Sequence, residues 1–326
     1  MTEHAPAGWY DDPQSPGRMR YFDGELWTNH FHKPGELPDV GNWLNNTFTG
    51  LLSNWPGAVG IALATSLVGN LVLWISARGL VDTLAWTDGE LVGFDTGTGL
   101  GVFAVVVFML LWQALGWMAL NRFLQRAHCQ AQPTVAEAAA RALKRLPKYV
   151  GVILGLAVVA MVIFFVLVVI SLVSPVLALI VILAGVLVAV WVFIKLTFLS
   201  AAIVAAPAGT SAIRTSAHVS AGRFWAVFGR VVLLTIVVGV GSSIIGAIIG
   251  AVTGVGSVVD ADVLGDIVVT TGDQVEIRDF ALKEFFDSGA LGVEIAFGSL
   301  LQAATALITT SAFMRLYLDS GAPSEL

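Results

Sequence analysis

From Tyr149 to Phe198 the chain runs for about 50 residues with Lys195 as its one charged residue, and Ser174-Pro175 is the only interruption. At about 1.5 Å per residue, a single helix of that length would be more than twice as long as a bilayer's hydrocarbon core of about 30 Å is thick. Two helices fit. Proline removes a backbone donor and clashes with the preceding turn, so Ser174-Pro175 reads as a tight hairpin between them.

The same length criterion picks out six spans in all. They cover about Ala58–Ala77, Leu100–Leu120, Tyr149–Val173, Pro175–Phe198, Phe224–Val252 and Ala290–Phe313. Composition agrees: 56% of residues are hydrophobic, 12% are charged, and the mean hydropathy is +0.83. A soluble domain carries about twice that share of charge and cannot hide so much apolar surface. The fold class expected is an all-α polytopic membrane protein, a six-helix bundle with a small β-hairpin module at its N-terminus.

Lys and Arg set the orientation. With loops assigned alternately from an inside N-terminus, only Arg78, Arg278 and Lys283 of the 17 basic residues fall outside. The positive-inside rule then places both termini in the cytoplasm of a bacterial plasma membrane. The outside loops are acidic. One of them, around Asp266–Ile277, has the alternation and central Thr271-Gly272-Asp273 of a hairpin. Phe280–Asp287 reads as a short interfacial helix.

The organisation expected is a cytoplasmic aromatic β-hairpin module at 1–40, an interfacial amphipathic segment at 41–57, a membrane domain at 58–315 and a cytoplasmic tail at 316–326. Trp43, Leu44, Phe48, Leu51, Leu52 and Trp55 give the amphipathic segment helical apolar spacing suited to the membrane surface. Pro133–Lys148 and Gly209–Arg223 read as further interfacial helices, with Pro133 in a first turn and Pro147 as a terminator. The N-terminal residues lack the order of a signal peptide, so the first span is expected to act as the uncleaved membrane signal.

The most specific pattern lies near the N-terminus. It reads Gly8-Trp9-Tyr10-Asp11-Asp12-Pro13, then Pro16-Gly17, then Arg20-Tyr21-Phe22-Asp23-Gly24-Glu25-Leu26-Trp27-Thr28. Asp23-Gly24 suits a type I′ turn, which needs positive φ. Trp9, Tyr10, Tyr21, Phe22 and Trp27 form a candidate docking surface. These residues resemble a short domain of unknown function found near the N-terminus of actinobacterial membrane proteins, with Phe22 where that family usually has Trp. The resemblance implies a cytoplasmic accessory module. The module also looks distantly like a WW domain, which would imply a proline-rich ligand, although Trp9 and Trp27 are close together for that family. The membrane part is loosely similar to the multi-pass domain of glycerophosphodiester phosphodiesterases, through Ala212-Ile213-Arg214-Thr215-Ser216 and Gly222-Arg223-Phe224-Trp225. That likeness implies six helices and no catalytic barrel.

Intramembrane polar residues are functional suspects. The candidates are Glu294, Gln302 and Gln113, together with Asn70; Lys195 and Arg230 can snorkel. Ser242, Gly246, Gly250 and Gly254, at four-residue spacing, are candidates for close helix packing or for a homo-oligomer interface. The single cysteine, Cys129, permits no intrachain disulfide, and the five histidines lack metal-ligand spacing. No phosphate loop or nucleophile elbow occurs, and the basic segments lack the aromatic interleaving of nucleic-acid binders. The expectation is therefore a non-enzymatic protein without cofactor or metal. Its partners would be membrane lipids and a protein docked on the N-terminal module. A scaffolding or envelope-associated role comes first, with a transporter-type subunit for a small solute or lipid as the alternative.

Overall fold

The computed structural model describes residues 8–11, 19–22, 27–32, 37–83, 85–87, 90–93, 96–129, 132–173, 175–207, 209–253, 268–271, 274–277 and 289–321. Most of these are helical. Six helices among them are long and apolar enough to cross a membrane: Trp55–Gly79, Gly99–His128, Val135–Ile170, Val181–Ala205, Phe224–Ile249 and Ile295–Asp319. Each overlaps one of the six apolar stretches of the sequence.

In chain order, short strands β1 (Gly8–Asp11), β2 (Met19–Phe22) and β3 (Trp27–His32) precede the helices. The Asp23-Gly24 turn lies outside the described residues, as do the side chains of all three strands. Then come α1 (Val40–Ser53), α2 (Trp55–Thr83), the short strands β4 (Ala85–Thr87) and β5 (Glu90–Gly93), and α3 (Thr96–His128). Next are α4 (Val135–Val173), α5 (Pro175–Leu196), α6 (Leu199–Ala205), α7 (Ala212–Val219) and α8 (Phe224–Thr253). Strands β6 (Val268–Thr271) and β7 (Gln274–Ile277) pair antiparallel, and α9 (Gly289–Asp319) is last. Phe280–Asp287 lies outside the described residues.

Helices α2, α3 and α9 form the tightest group, and small residues permit it. A Cβ on Gly116 would fall 2.1 Å from the Thr65 hydroxyl, and one on Gly57 would fall 2.3 Å from the Phe123 ring. With no hydrophobic drive between helices in lipid, such close approach is what holds spans together. Helix α4 packs on α3, α5 on α4, and α8 on α9. Away from these contacts α4, α5 and α8 expose Leu154, Phe164, Phe165, Leu187 and Ile248, as helices solvated by lipid do.

The core sits toward one end of the bundle, the end rich in Lys and Arg. Trp43, Met118, Leu124, Phe198, Ile203, Leu316 and Tyr317 are all buried there. Three expectations change at this end. First, α4 continues through Pro147. Proline costs the bond to the Leu143 carbonyl, which precedes the apolar stretch. The helix start is instead set by Thr134, whose hydroxyl accepts from the Glu137 amide at 3.3 Å. Second, the fourth span does not end cleanly at Phe198. It resumes as α6, which is buried along nearly its whole length and ends before Pro207. Third, the segment 209–223 shortens to α7, capped by Ser211 and buried through Ala212, Thr215, Ser216 and Val219.

Candidate functional site

Helix α1 joins the N-terminal segment to the bundle. Asp39 caps it, accepting from the Asn42 amide at 2.9 Å. That backbone bond holds the Asp39 carboxyl below its ordinary value of 3.8. Trp43 is fully buried, and its indole Nε1 donates to the Ala312 carbonyl of α9 at 3.2 Å. Thr47 and Leu51 are buried on the same stripe, whereas Phe48, Leu52 and Trp55 face outward. The helix therefore lies on protein through one face and offers lipid the other.

Three hydrogen bonds complete this joint. The Arg230 guanidinium of α8 donates to the Pro38 carbonyl and sits 6.0 Å from the Trp43 ring centroid. Ser311 of α9 donates to the Thr47 carbonyl at 3.1 Å, so His128 of α3 donates its Nε2 proton to the Ser311 hydroxyl, also at 3.1 Å. One chain of hydrogen bonds thus links α3, α9 and α1. The His128 ring has room only because residue 50 is glycine: a Cβ there would lie 2.0 Å from Nδ1.

Beside this joint, Arg122 donates to Gln125 at 2.8 Å and pairs with Glu137 of α4 at 3.1 Å, while Arg126 reaches the same carboxylate at 2.7 Å. Arg223 donates to the Ser320 carbonyl at 2.9 Å and ties the start of α8 to the end of α9. Cys129 follows α3, and burial pushes its thiol pKa up, with Arg315 and Arg122 acting in the opposite sense. Sequence reasoning did not find these pairings. The basic residues were visible as a topology signal, but Glu137 sits on the next helix and Ser320 follows α9, so only the folded bundle brings these groups together.

The intramembrane candidates divide. Asn70 donates to Ser299 at 2.8 Å and to Gln302 at 3.2 Å, which joins α2 to α9. Gln113 and Gln302 line one cavity of about 220 Å³ with Thr65, Ser66 and Thr309. The Glu294 side chain lies outside the described residues. Ser242 shares a 3.1 Å hydrogen bond with Thr305 of α9. Among the described residues, a Cβ on Gly246 would meet no atom within 4 Å. Gly254 and any contacts of Gly250 lie outside the described residues, as do the side chains of Trp9, Tyr10, Tyr21, Phe22 and Trp27. Lys195 donates to the Ala217 carbonyl at 3.5 Å and sits 5.6 Å from the Trp191 ring centroid. Among the described residues, no three His, Cys, Asp or Glu side chains gather as metal ligands would.

The pattern ending where α1 begins is decided by comparison. Residues 7–39 match the family model described as "Protein of unknown function (DUF2510)". The chain thus carries an N-terminal domain of unknown function ahead of a helical membrane part. The match covers about a tenth of the chain and ends at Asp39, the residue that caps α1. No curated protein and no solved structure matches the chain.

Proposed function

We propose that this is a multi-pass protein of a bacterial plasma membrane, with both termini in the cytoplasm, that acts as a scaffold or envelope-associated component. Its N-terminal module, a small aromatic hairpin as in actinobacterial relatives, would be the docking surface, with Trp9, Tyr10, Tyr21, Phe22 and Trp27 meeting a protein partner. No catalytic step is assigned to it. The loose likeness to the membrane domain of glycerophosphodiester phosphodiesterases agrees with a six-helix platform.

One observation carries this reading. The matched residues run to 39, and Pro38 and Asp39 are fastened, through Arg230 and the α1 cap, to the bundle. A docking element needs such an anchor where it joins the membrane part. The bias of Lys and Arg supports the orientation.

A second reading, a permease-type subunit, draws on the cavity between α2, α3 and α9. Gln113 and Gln302 there would hold a small polar solute. Extraction in mild detergent followed by mass spectrometry, with and without residues 1–40, separates the two. Protein partners that vanish with the module, and with Trp27→Ala in the full chain, support docking. A solute retained in both forms and lost with Gln113→Leu supports the second reading, and partners indifferent to the module would refute the first.

A further inference from the structure

The cavity of about 220 Å³ between α2, α3 and α9 lies at a depth where a bilayer offers no water. Ser66 stands near the middle of the span Trp55–Gly79, and Gln113 near the middle of Gly99–His128. A polar group at that depth costs free energy unless something bonds it. Three of the hydroxyls lining the cavity are satisfied within the bundle. Thr65 donates to the Ile61 carbonyl at 2.7 Å, Thr305 shares its bond with Ser242, and Thr309 donates to the Thr305 carbonyl.

Other groups on the same walls are not. Ser66 is 3% exposed, and among the described residues its hydroxyl has no hydrogen-bond partner, yet it is open to the cavity. The Gln113 carboxamide is likewise unpartnered among the described residues and open to the cavity. Packing holds it in place: it lies over Gly69 of α2, where a Cβ would come 3.2 Å from its Nε2. Gln302 accepts from Asn70 through its Oε1 at 3.2 Å, which leaves the N–H donors of its amide for the cavity. Polar atoms that the chain leaves unbonded in lipid mark the place of a partner from outside it.

These groups define that partner's chemistry. A carboxamide and a hydroxyl each donate and accept, so the occupant must do both. Among the described residues no Asp, Glu, Lys, Arg or His lines the cavity, and an ion there would lose its hydration without meeting a counter-charge. The volume lies below the about 300–1,000 Å³ of pockets that take drug-sized ligands. We propose that the cavity binds a small uncharged solute that both donates and accepts hydrogen bonds, a polyol or an amide of the size of glycerol or urea. Ser66 and Gln113 donate to it and accept from it, and Gln302 donates. The proposal rests on the second reading above, which gives the cavity to a polar solute, and adds selection against charge and a contact from Ser66.

The test uses the purified full chain in nanodiscs and saturation-transfer NMR. The probes are glycerol and urea, each beside a charged counterpart of similar size, glycerate and guanidinium. A neutral probe should bind saturably, and neither charged one should; preference for glycerol or for urea separates polyol from amide. Ser66→Ala, which removes only the hydroxyl, should weaken neutral binding about fivefold, the effect of one net hydrogen bond, and Gln113→Leu should abolish it. If glycerate or guanidinium binds as well as the neutral probes, this proposal is overturned while the second reading stands. If none of the four binds, the cavity holds no solute and both fall. Neutral binding unchanged in both variants would place the probe elsewhere and also overturn the proposal.

Discussion

Trp43 offers the sharpest test of how the N-terminal segment is held. Its side chain is fully buried, its indole donates to Ala312, and Arg230 lies over its ring. Trp43→Ala removes all three contributions. Large-to-small replacement of a buried aromatic costs about 3–5 kcal/mol. Trp43→Phe keeps an aromatic ring beneath Arg230 but loses part of the packing and the hydrogen bond, the latter about 0.5–1.5 kcal/mol because the Ala312 carbonyl keeps its partner within α9. The cation–π share, about 0.5–2 kcal/mol, should then be the part of the alanine effect that phenylalanine spares along with the packing. The assay is unfolding of the purified chain in mixed micelles, combined with limited proteolysis. The midpoint should fall in the order wild type, Phe, Ala, and the alanine variant should be cut within residues 37–53 under conditions that spare the wild type. If α1 merely lay on the membrane surface, both variants would unfold at the wild-type midpoint and the cleavage pattern would not move. That result would refute the docked joint.

Three further outcomes are expected. Gly116→Ala should be destabilising by about 1–3 kcal/mol, because its Cβ would overlap the Thr65 side chain, whose own Cβ is 2.7 Å away; in the same unfolding assay, adding Thr65→Gly should recover part of the loss, and adding Thr65→Ala less. Cys129, its pKa raised by burial, should react with a maleimide more slowly than a free cysteine at pH 8, and the rate should keep rising with pH beyond the point where the free thiol levels off. Asp39 has a depressed pKa in the folded chain, so its contribution to holding α1 is present above its ordinary value of 3.8 and is lost as pH falls through the lower folded value. Cleavage near residue 40 should increase over that acidic window in the wild type, and Asp39→Asn, which still caps, should flatten the dependence.

The six spans were legible because burial in lipid demands long apolar runs, and runs such as Tyr149–Phe198 are read directly from sequence. The N-terminal domain was legible because its Trp, Pro and Asp-Gly positions are closely spaced. What hydropathy could not read was which face of a helix meets protein. The apolar spacing Trp43, Leu44, Phe48, Leu51, Leu52 and Trp55 spans both faces: Trp43 and Leu51 lie on the buried stripe with Thr47, which bonds the Trp43 carbonyl at 2.8 Å, while Phe48, Leu52 and, at the start of α2, Trp55 are exposed. Pro147 misled for another reason: proline ends a helix only as a tendency, and α4 runs on through it with one backbone bond fewer. The candidate site was only partly visible. Asn70, Gln113 and Gln302 stood out as polar residues in apolar stretches, whereas the small residues that hold α2 to α3 were Gly57 and Gly116, at no regular spacing.

The bond between Trp43 and Ala312 spans 269 positions of the chain. It has a consequence for biogenesis. When α1 leaves the ribosome, the helix that will accept its indole has not been made, and the wait lasts through the synthesis of all intervening spans. During that interval Trp43 has no docking partner on α9, and the nascent protein carries an unfinished N-terminal joint. Synthesis of α9 supplies the missing acceptor, so any chain stopped before α9 lacks the bond that seats Trp43.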